Sequence, residues 1–225
     1  MPLKKSRKKA AKKNKKKAKQ KAQKIAKQVG RAKAAPKHPL IIVSGFAGSG
    51  KSTLADSLGK KLGLKVVHAS AILKEMREKG TDVNHESVKK TEDWWETEEA
   101  KKFMLERQKD SSLDLALDEK LREIARKGSV VLDSWTMGYL FEGGFKIWLN
   151  ASPEERAKRV AERDGLDYND VLAKIKARDA ETKALYERLY NFRMGENLGK
   201  FNLALNTGNL AKKQVFEKAM EKLTE

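Results

Sequence analysis

The sequence contains no cysteine, and its three histidines, His38, His68 and His85, are widely separated. The lack of cysteine excludes disulfide bonds, thiolate metal sites and cysteine nucleophiles, and the histidine spacing matches no zinc motif. We therefore expect any metal ion to be bound through oxygen ligands. No apolar run approaches the roughly 20 residues that cross a bilayer. We predict a protein with no membrane span and a cytoplasmic location.

Acidic residues are absent from the first 38 positions, which contain 17 Lys or Arg. The remaining 33 basic residues are almost balanced by 31 acidic ones, so most of the net charge of +19 belongs to this stretch. We predict a basic arm at 1–38, disordered or helical because its charges repel one another, and one domain at 39–225. The arm either contacts nucleic acid, as RNA or the ribosome, through phosphate groups, or is a solubilising extension.

From position 40 onward, short apolar runs alternate with amphipathic helical patterns. The candidate strands are 40–43, 65–68, 129–133, 145–150 and 201–206. The candidate helices are 51–62, 70–79, 86–108, 111–127, 153–163, 168–192 and 210–223. This alternation predicts an α/β fold, in which a five-stranded parallel sheet carries helices on both faces.

A glycine-rich turn joins the first strand to the first helix in the segment LIIVSGFAGSGKST at 40–53, which contains the pattern G-x-x-x-x-G-K-[ST]. The glycines allow backbone amides to converge on phosphate, and the helix N-terminus adds positive charge. Lys51 is expected to reach the β and γ phosphates of ATP and to act in catalysis, and the Ser52 hydroxyl to bind Mg²⁺. The predicted ATP-binding residues are Gly45, Phe46, Ala47, Gly48, Ser49, Gly50, Lys51, Ser52 and Thr53.

The remaining motifs distinguish the classes of P-loop protein. The base-reading N-K-x-D and the metal-side D-x-x-G of GTPases do not follow the loop, and SVVLDSW ends its strand with one carboxylate, Asp133, where large ATPases usually have adjacent acidic residues. A small-molecule kinase therefore fits better. If the acceptor is itself an anionic phosphate, positioning and charge neutralisation suffice and no strong base is needed.

Further segments carry a family resemblance. They are GFAGSGKST at 45–53, GLKVVHASAILKEMREKG at 63–80, DSSLDLALDEKLREIARKGSVVLD at 110–133, FKIWLNASPEERAKRVAERDG at 145–165, IKARDAETKALYERLYN at 175–191 and LALNTG at 203–208. In order and spacing, residues 40–209 resemble an archaeal-type cytidylate kinase, a P-loop nucleoside-monophosphate kinase. The resemblance implies the P-loop kinase fold, ATP with Mg²⁺, and CMP or dCMP as acceptor. It places Ser70 and Lys74 beside the acceptor, Asp114 on its base side, and a helical lid at about 159–192.

The chain departs from that family at several basic positions. Lys74 stands where the family usually has an arginine on the acceptor phosphate, and Ser134 and Trp135 stand where Gly-Arg is usual. Lys183 and Leu185 occupy positions of lid arginines. Two alternatives therefore remain: an adenylate or other nucleotide kinase, and an ATP-binding module associated with RNA or ribosomes whose acceptor site is degenerate.

Three arginines are candidates for contact with the transferred phosphoryl group. Arg159 and Arg163 are one helical turn apart, and Arg178 lies on the next predicted helix. We predict that Arg163 and Arg178, more than Arg159, neutralise charge in the transition state. The alternative is that Arg159 and Arg163 pair with glutamates on an exposed helix surface.

Several acidic residues have two interpretations. Asp133 ends a strand at the edge where ligands of α/β sheets bind, so we predict that it holds a magnesium-bound water or the acceptor ribose; a turn or helix cap is the alternative. Asp114 is either a base contact or one of a pair of surface carboxylates. For Asp118 we predict a salt bridge with Arg122, four residues on.

The adjacent Trp94 and Trp95 either border a base or fill the core, and the latter is the more usual role of indole side chains. His68, at the end of a strand, is predicted to be structural.

Overall fold

A computed structural model describes residues 39–84 and 98–225. Within them, five strands are formed: β1 Leu40–Gly45, β2 Lys65–His68, β3 Val130–Asp133, β4 Phe145–Asn150 and β5 Leu203–Asn206. Eight α-helices accompany these strands: α1 Lys51–Leu62, α2 Ala69–Lys79, α3 Glu98–Lys109, α4 Ser112–Lys127, α5 Met137–Leu140, α6 Pro153–Asp164, α7 Tyr168–Tyr190 and α8 Lys212–Thr224. A 3₁₀ turn at Leu198–Lys200 precedes β5.

The strands form one parallel sheet in the order β2-β3-β1-β4-β5. Asp133 is paired in register with Val43 of β1 on one side and with His68 of β2 on the other. Since parallel strands bring their carboxyl ends to one edge, the ends of β2 and β3 lie beside the turn that follows β1. The predicted five-stranded parallel sheet is confirmed.

Alternate residues of β1 enter two apolar clusters on opposite faces of the sheet. Leu40 and Ile42 belong to one cluster, with residues of α2 and α4, while Ile41 and Val43 belong to the other, with residues of α1 and α8. Successive side chains of a strand point to opposite faces, so a central strand covered by helices on both sides is apolar throughout. The run LIIV is explained by this double burial.

Helices α6 and α7 form an antiparallel hairpin in the region of the predicted lid. Ser152 and Glu155 form a capping box at the start of α6, and Gly165 ends it in the left-handed conformation. The hairpin has its own small apolar cluster, which includes Val160 and Ile175. The C-terminal half of α7 instead packs into an aromatic cluster of the main body, where the buried residues include Trp148, Leu185 and Tyr186.

The secondary structure differs from the sequence prediction in a few places. The short helix α5 was not predicted. Of the helix predicted over 86–108, the described part is helical as α3, and the part before Glu98 lies outside the described residues. The predictions for the arm at 1–38 and for Trp94 and Trp95 lie outside the described residues. In the described part of the chain, no helix is long and apolar enough to span a membrane.

Candidate active site

The turn between β1 and α1 requires glycine at two points. A Cβ on Gly45 would lie 2.4 Å from the carbonyl oxygen of Leu149, and Gly48 has a φ of +77° with Arg156 directly behind it. Ser49 adds a buried hydroxyl that has no hydrogen-bond partner in the described structure. The loop is therefore a close-packed backbone cradle at a helix N-terminus, the arrangement that binds phosphate.

Lys51, the first residue of α1, is 7% exposed and lines the same cavity as the loop. Its Nζ donates a hydrogen bond to the Phe46 carbonyl oxygen at 2.9 Å. Burial lowers the pKa of Lys51, and the nearby Arg156 and Arg178 lower it further, whereas Asp133 opposes them. An anion entering the cavity would relieve this crowding of positive charge.

Asp133 lies directly across from the loop. Its Oδ2 accepts a hydrogen bond from the Ser52 hydroxyl at 2.7 Å and is 3.0 Å from His68 Nδ1. Burial alone would raise the pKa of Asp133, but the His68 contact, the Lys51 charge and the Ser52 hydrogen bond outweigh it and hold the pKa below its usual value. Asp133 is thus a buried carboxylate kept ionised beside the phosphate cradle.

These residues fit ATP and Mg²⁺. The described residues contain no group of three or more His, Asp or Glu side chains that would hold a metal by themselves. Mg²⁺ does not need one, because it commonly takes one or two protein oxygens and completes its shell with phosphates and water. The hydroxyl of Ser52, with Asp133 beside it, supplies the pair of oxygens used by P-loop proteins.

The cavity has a volume of about 540 Å³ and contacts four parts of the fold. The loop and α1 contribute Ala47, Gly48, Lys51, Ser52 and Thr53, and the strand ends and following turns contribute Ala69, Ser70, Asp133, Ser134, Trp135 and Thr136. The hairpin contributes Val160, Arg163, Asp164, Ile175, Arg178 and Tyr186, and the far wall contains Leu73, Arg107 and Leu117. This volume lies in the usual range of small-molecule sites.

The hairpin brings two of the three candidate arginines to the cavity. Arg163 and Arg178 line it, and Arg163 pairs with the adjacent Asp164. Arg159 is held elsewhere, because its guanidinium donates to Thr207 and to the carbonyl oxygen of Gly208. For Arg159, these described contacts replace the surface glutamate pair that was the alternative interpretation.

The predicted acceptor residues are placed differently from one another. Ser70 lines the cavity, whereas Lys74 is directed toward Glu78, with 4.0 Å between its Nζ and the Glu78 carboxylate. Asp114 is 1% exposed and lies behind the wall, where it accepts hydrogen bonds from Arg107. Asp114 therefore orients a cavity-lining arginine instead of facing the cavity itself.

Two buried arginines were missed by the sequence interpretation. Arg107 lines the cavity and also donates to the Tyr186 hydroxyl at 3.2 Å. Arg156 is 1% exposed and joins the loop to the hairpin, because it donates to the Ala47 carbonyl oxygen at 3.0 Å and pairs with Asp179 of α7. The contacts that tie them to other elements, Arg107 to Tyr186 and Arg156 to Ala47, join residues 79 and 109 positions apart, so no local pattern indicated them.

Comparison with known proteins agrees with this geometry. Residues 40–209 match the model of the cytidylate kinase-like family. The chain is 32% identical to a cytidylate kinase of Ignicoccus hospitalis over 79% of this chain and 95% of the relative. It is also 32% identical to a cytidylate kinase of Pyrococcus horikoshii over 80% of this chain and 86% of the relative. The chain belongs to the cytidylate kinase-like family.

Solved structures agree with the fold of this family member. A shikimate kinase from Bacteroides thetaiotaomicron aligns with a TM-score of 0.52 at 15% identity, over 83% of this chain and 99% of that one. An uncharacterised protein from Eubacterium ventriosum aligns with a TM-score of 0.57 at 12% identity, with the same coverage. At such identities the agreement concerns the fold alone.

The predicted salt bridge between Asp118 and Arg122 of this cytidylate kinase-like chain is wrong. Asp118 instead accepts hydrogen bonds from the Thr136 hydroxyl at 2.6 Å and the Tyr190 hydroxyl at 2.5 Å, and Arg122 pairs with Glu119. Helical spacing alone favoured the i,i+4 pair, but Asp118 is buried, where the hydroxyl groups of Thr136 and Tyr190 reach its carboxylate. Burial raises the pKa of Asp118 to about 6 against the opposing effect of these hydrogen bonds.

The raised pKa of Asp118 predicts that ionisation of this buried carboxyl group lowers the stability of the fold. The folded-state pKa of Asp118 exceeds the unfolded value of about 4, so its contribution to stability is greatest below pH 4 and is lost as the pH rises through about 6. The unfolding free energy of Asp118→Asn, measured by urea denaturation, should therefore rise relative to that of the parent by about 2 kcal/mol between pH 4.5 and pH 8. Parallel pH profiles for the two proteins would refute this assignment.

Proposed function

We propose that this protein transfers the γ-phosphoryl group of ATP to a nucleoside monophosphate, CMP or dCMP, with Mg²⁺. The observation that carries the proposal is a single cavity lined by the phosphate loop, by Lys51 and by two hairpin arginines, Arg163 and Arg178. Family membership supports the choice of acceptor, because the matched relatives are cytidylate kinases.

The residues of the cavity suit a reaction between two anions. The acceptor phosphate is already ionised at neutral pH, so the site has to orient the reactants and neutralise charge without a strong base. Lys51 binds the transferred phosphoryl oxygens, and Arg163 and Arg178 approach them from the hairpin. Bound Mg²⁺ supplies charge neutralisation on the β and γ phosphates. Ser52 and Asp133 are the residues that would hold it.

The acceptor would occupy the part of the cavity lined by Ser70 and Arg107. Arg107 compensates for the lysine at position 74, because it presents a guanidinium held by Asp114 to the same cavity. We also propose that the enzyme is cytoplasmic.

A coupled assay with CMP, dCMP, UMP and AMP at fixed MgATP tests the proposal. The expected result is efficient turnover with CMP and dCMP and weaker turnover with the others. Preference for AMP or UMP would favour the alternative of another nucleotide kinase. Binding of ATP without transfer to any of the four acceptors would contradict kinase activity and favour the ATP-binding module with a degenerate acceptor site.

A second proposal concerns the 17 basic residues of the arm at 1–38. We propose that the arm binds RNA, free or in ribosomes, by phosphate contacts. The charge distribution supports this, because the remainder of the chain is almost neutral and each phosphate contact releases counterions. The binding would be independent of base sequence.

Deletion of 1–38 should abolish retention on single-stranded RNA at about 50 mM salt and leave kcat/KM for CMP within about twofold of the parent. A full-length control in which every Lys and Arg of the arm is replaced by Gln separates charge from length. It should behave like the deletion. RNA retention that survives both changes would show that the arm is not responsible.

A further inference from the structure

His68 has a carboxylate at each of its two ring nitrogens. Its Nδ1 is 3.0 Å from Asp133 Oδ2, and its Nε2 is 3.0 Å from Asp56 Oδ1. The side chain is only 9% exposed, so the ring is held between the two contacts in a partly buried position. The sequence interpretation assigned His68 a structural role without a partner, and the structure provides two partners.

These contacts belong to a closed network of side chains beside Ser52 and Asp133, the residues that would hold Mg²⁺. Ser52 and Asp56 lie one turn apart on α1 and therefore face the same direction. The Ser52 hydroxyl donates to Asp133, which also contacts His68. The other ring nitrogen of His68 contacts Asp56, so the network begins and ends on α1. Strands β2 and β3 complete the network, because they are paired at the positions of His68 and Asp133.

We propose that His68 is a positioning residue that fixes the Asp133 carboxylate for binding of MgATP, with Asp56 holding the far side of the ring. The inference rests on the proposed function, since it assigns Asp133 to the metal side of an ATP site.

The geometry explains how His68 would act. A carboxylate turns easily about its last side-chain bond, so one hydrogen bond leaves its plane poorly defined. Ser52 and His68 both contact Oδ2 from different elements, which fixes the plane and hence the direction of the second oxygen, Oδ1. Outer residues that orient a metal-side group in this way typically contribute 10- to 100-fold to metal affinity.

Two substitutions separate the contacts of the ring. The amide nitrogen of asparagine reaches the position of the imidazole Nδ1, so His68→Asn keeps a donor to Asp133. The amide nitrogen of glutamine reaches the position of Nε2, so His68→Gln keeps the contact with Asp56 and loses the one with Asp133. Both variants keep a polar amide of similar size in the same partly buried place, and their thermal unfolding midpoints are compared first.

The measurement is calorimetric ATP binding by the full-length proteins across a magnesium series, with EDTA as the metal-free point. We expect His68→Gln to raise by about tenfold the magnesium concentration that gives half of the maximal enhancement of ATP affinity. For His68→Asn the same concentration should rise by no more than about twofold. Metal-free ATP affinity should be unchanged in both variants, which a merely structural role would not predict.

The outcomes distinguish this inference from the proposed function. If the parent protein binds ATP with no magnesium enhancement, the metal-assisted function itself fails. If the parent shows enhancement and both variants match it, or if both variants lose it equally, the positioning role of His68 is overturned.

Discussion

Replacement of Lys51 by Met should lower the rate of phosphoryl transfer by about a hundred- to a thousandfold. Lys51 is the one lysine among the described residues that lines the cavity, and its buried ammonium group lies beside the phosphate cradle. Methionine keeps an unbranched stem but supplies no charge to the transferred phosphoryl group, which is stabilised almost entirely by electrostatics. Steady-state assays with MgATP and CMP measure the change.

Lys146 provides the matched control. It is also largely buried, at 9% exposure, and burial together with the nearby Lys200 lowers its pKa, but it lies on β4 and does not line the cavity. Lys146→Met should retain most of the activity. Equal losses in the two variants, with unchanged unfolding midpoints, would mean that burial of a lysine and not its location in the site is what matters.

Replacement of Arg156 by Leu is expected to destabilise the fold by about 3–5 kcal/mol, as seen when one partner of a buried ion pair is removed. The change leaves Asp179 without its partner and removes hydrogen bonds to the carbonyl oxygens of Ala47 and Ala151. Because total stabilities are about 5–15 kcal/mol, much of the margin would be lost. Urea denaturation measures the effect.

Two further variants test the cause. Arg156→Lys retains the charge but cannot span Asp179 and the loop together, so it should recover only part of the stability. Lys158→Met, on the same helix with a 73% exposed side chain, should remain close to the parent. If Arg156→Leu lowers the free energy of unfolding no more than Lys158→Met does, Arg156 does not stabilise the fold by joining the loop to α7.

The elements with strong local patterns were predictable from sequence. Strands β1, β3 and β4 were found because burial on both faces gives them the apolar runs LIIV, VVL and IWL. The phosphate loop was found because glycines, lysine and serine occur at fixed spacing between a strand and a helix. The helices of the α6–α7 hairpin were found because amphipathic patterns extend over 153–163 and 168–192.

The side-chain network was not predictable in the same way. His68 and Asp133 are 65 residues apart, and Arg156 and Ala47 are 109 apart. Such contacts depend on strand order and helix docking, which a single sequence does not reveal. Spacing was misleading for Asp118, because the i,i+4 rule describes an isolated helix surface and this carboxylate is 2% exposed.

Helix α7 has a consequence for how the two substrates affect each other. The helix carries Arg178, which interacts electrostatically with Lys51, and Tyr186, which contacts Arg107. These two residues are eight positions apart, a distance of about 12 Å along the helix axis. A displacement of the helix by the donor phosphates would move the acceptor wall as well. Each substrate should therefore change the affinity for the other by the same factor, because both act on the position of α7, and no separate regulatory site is needed.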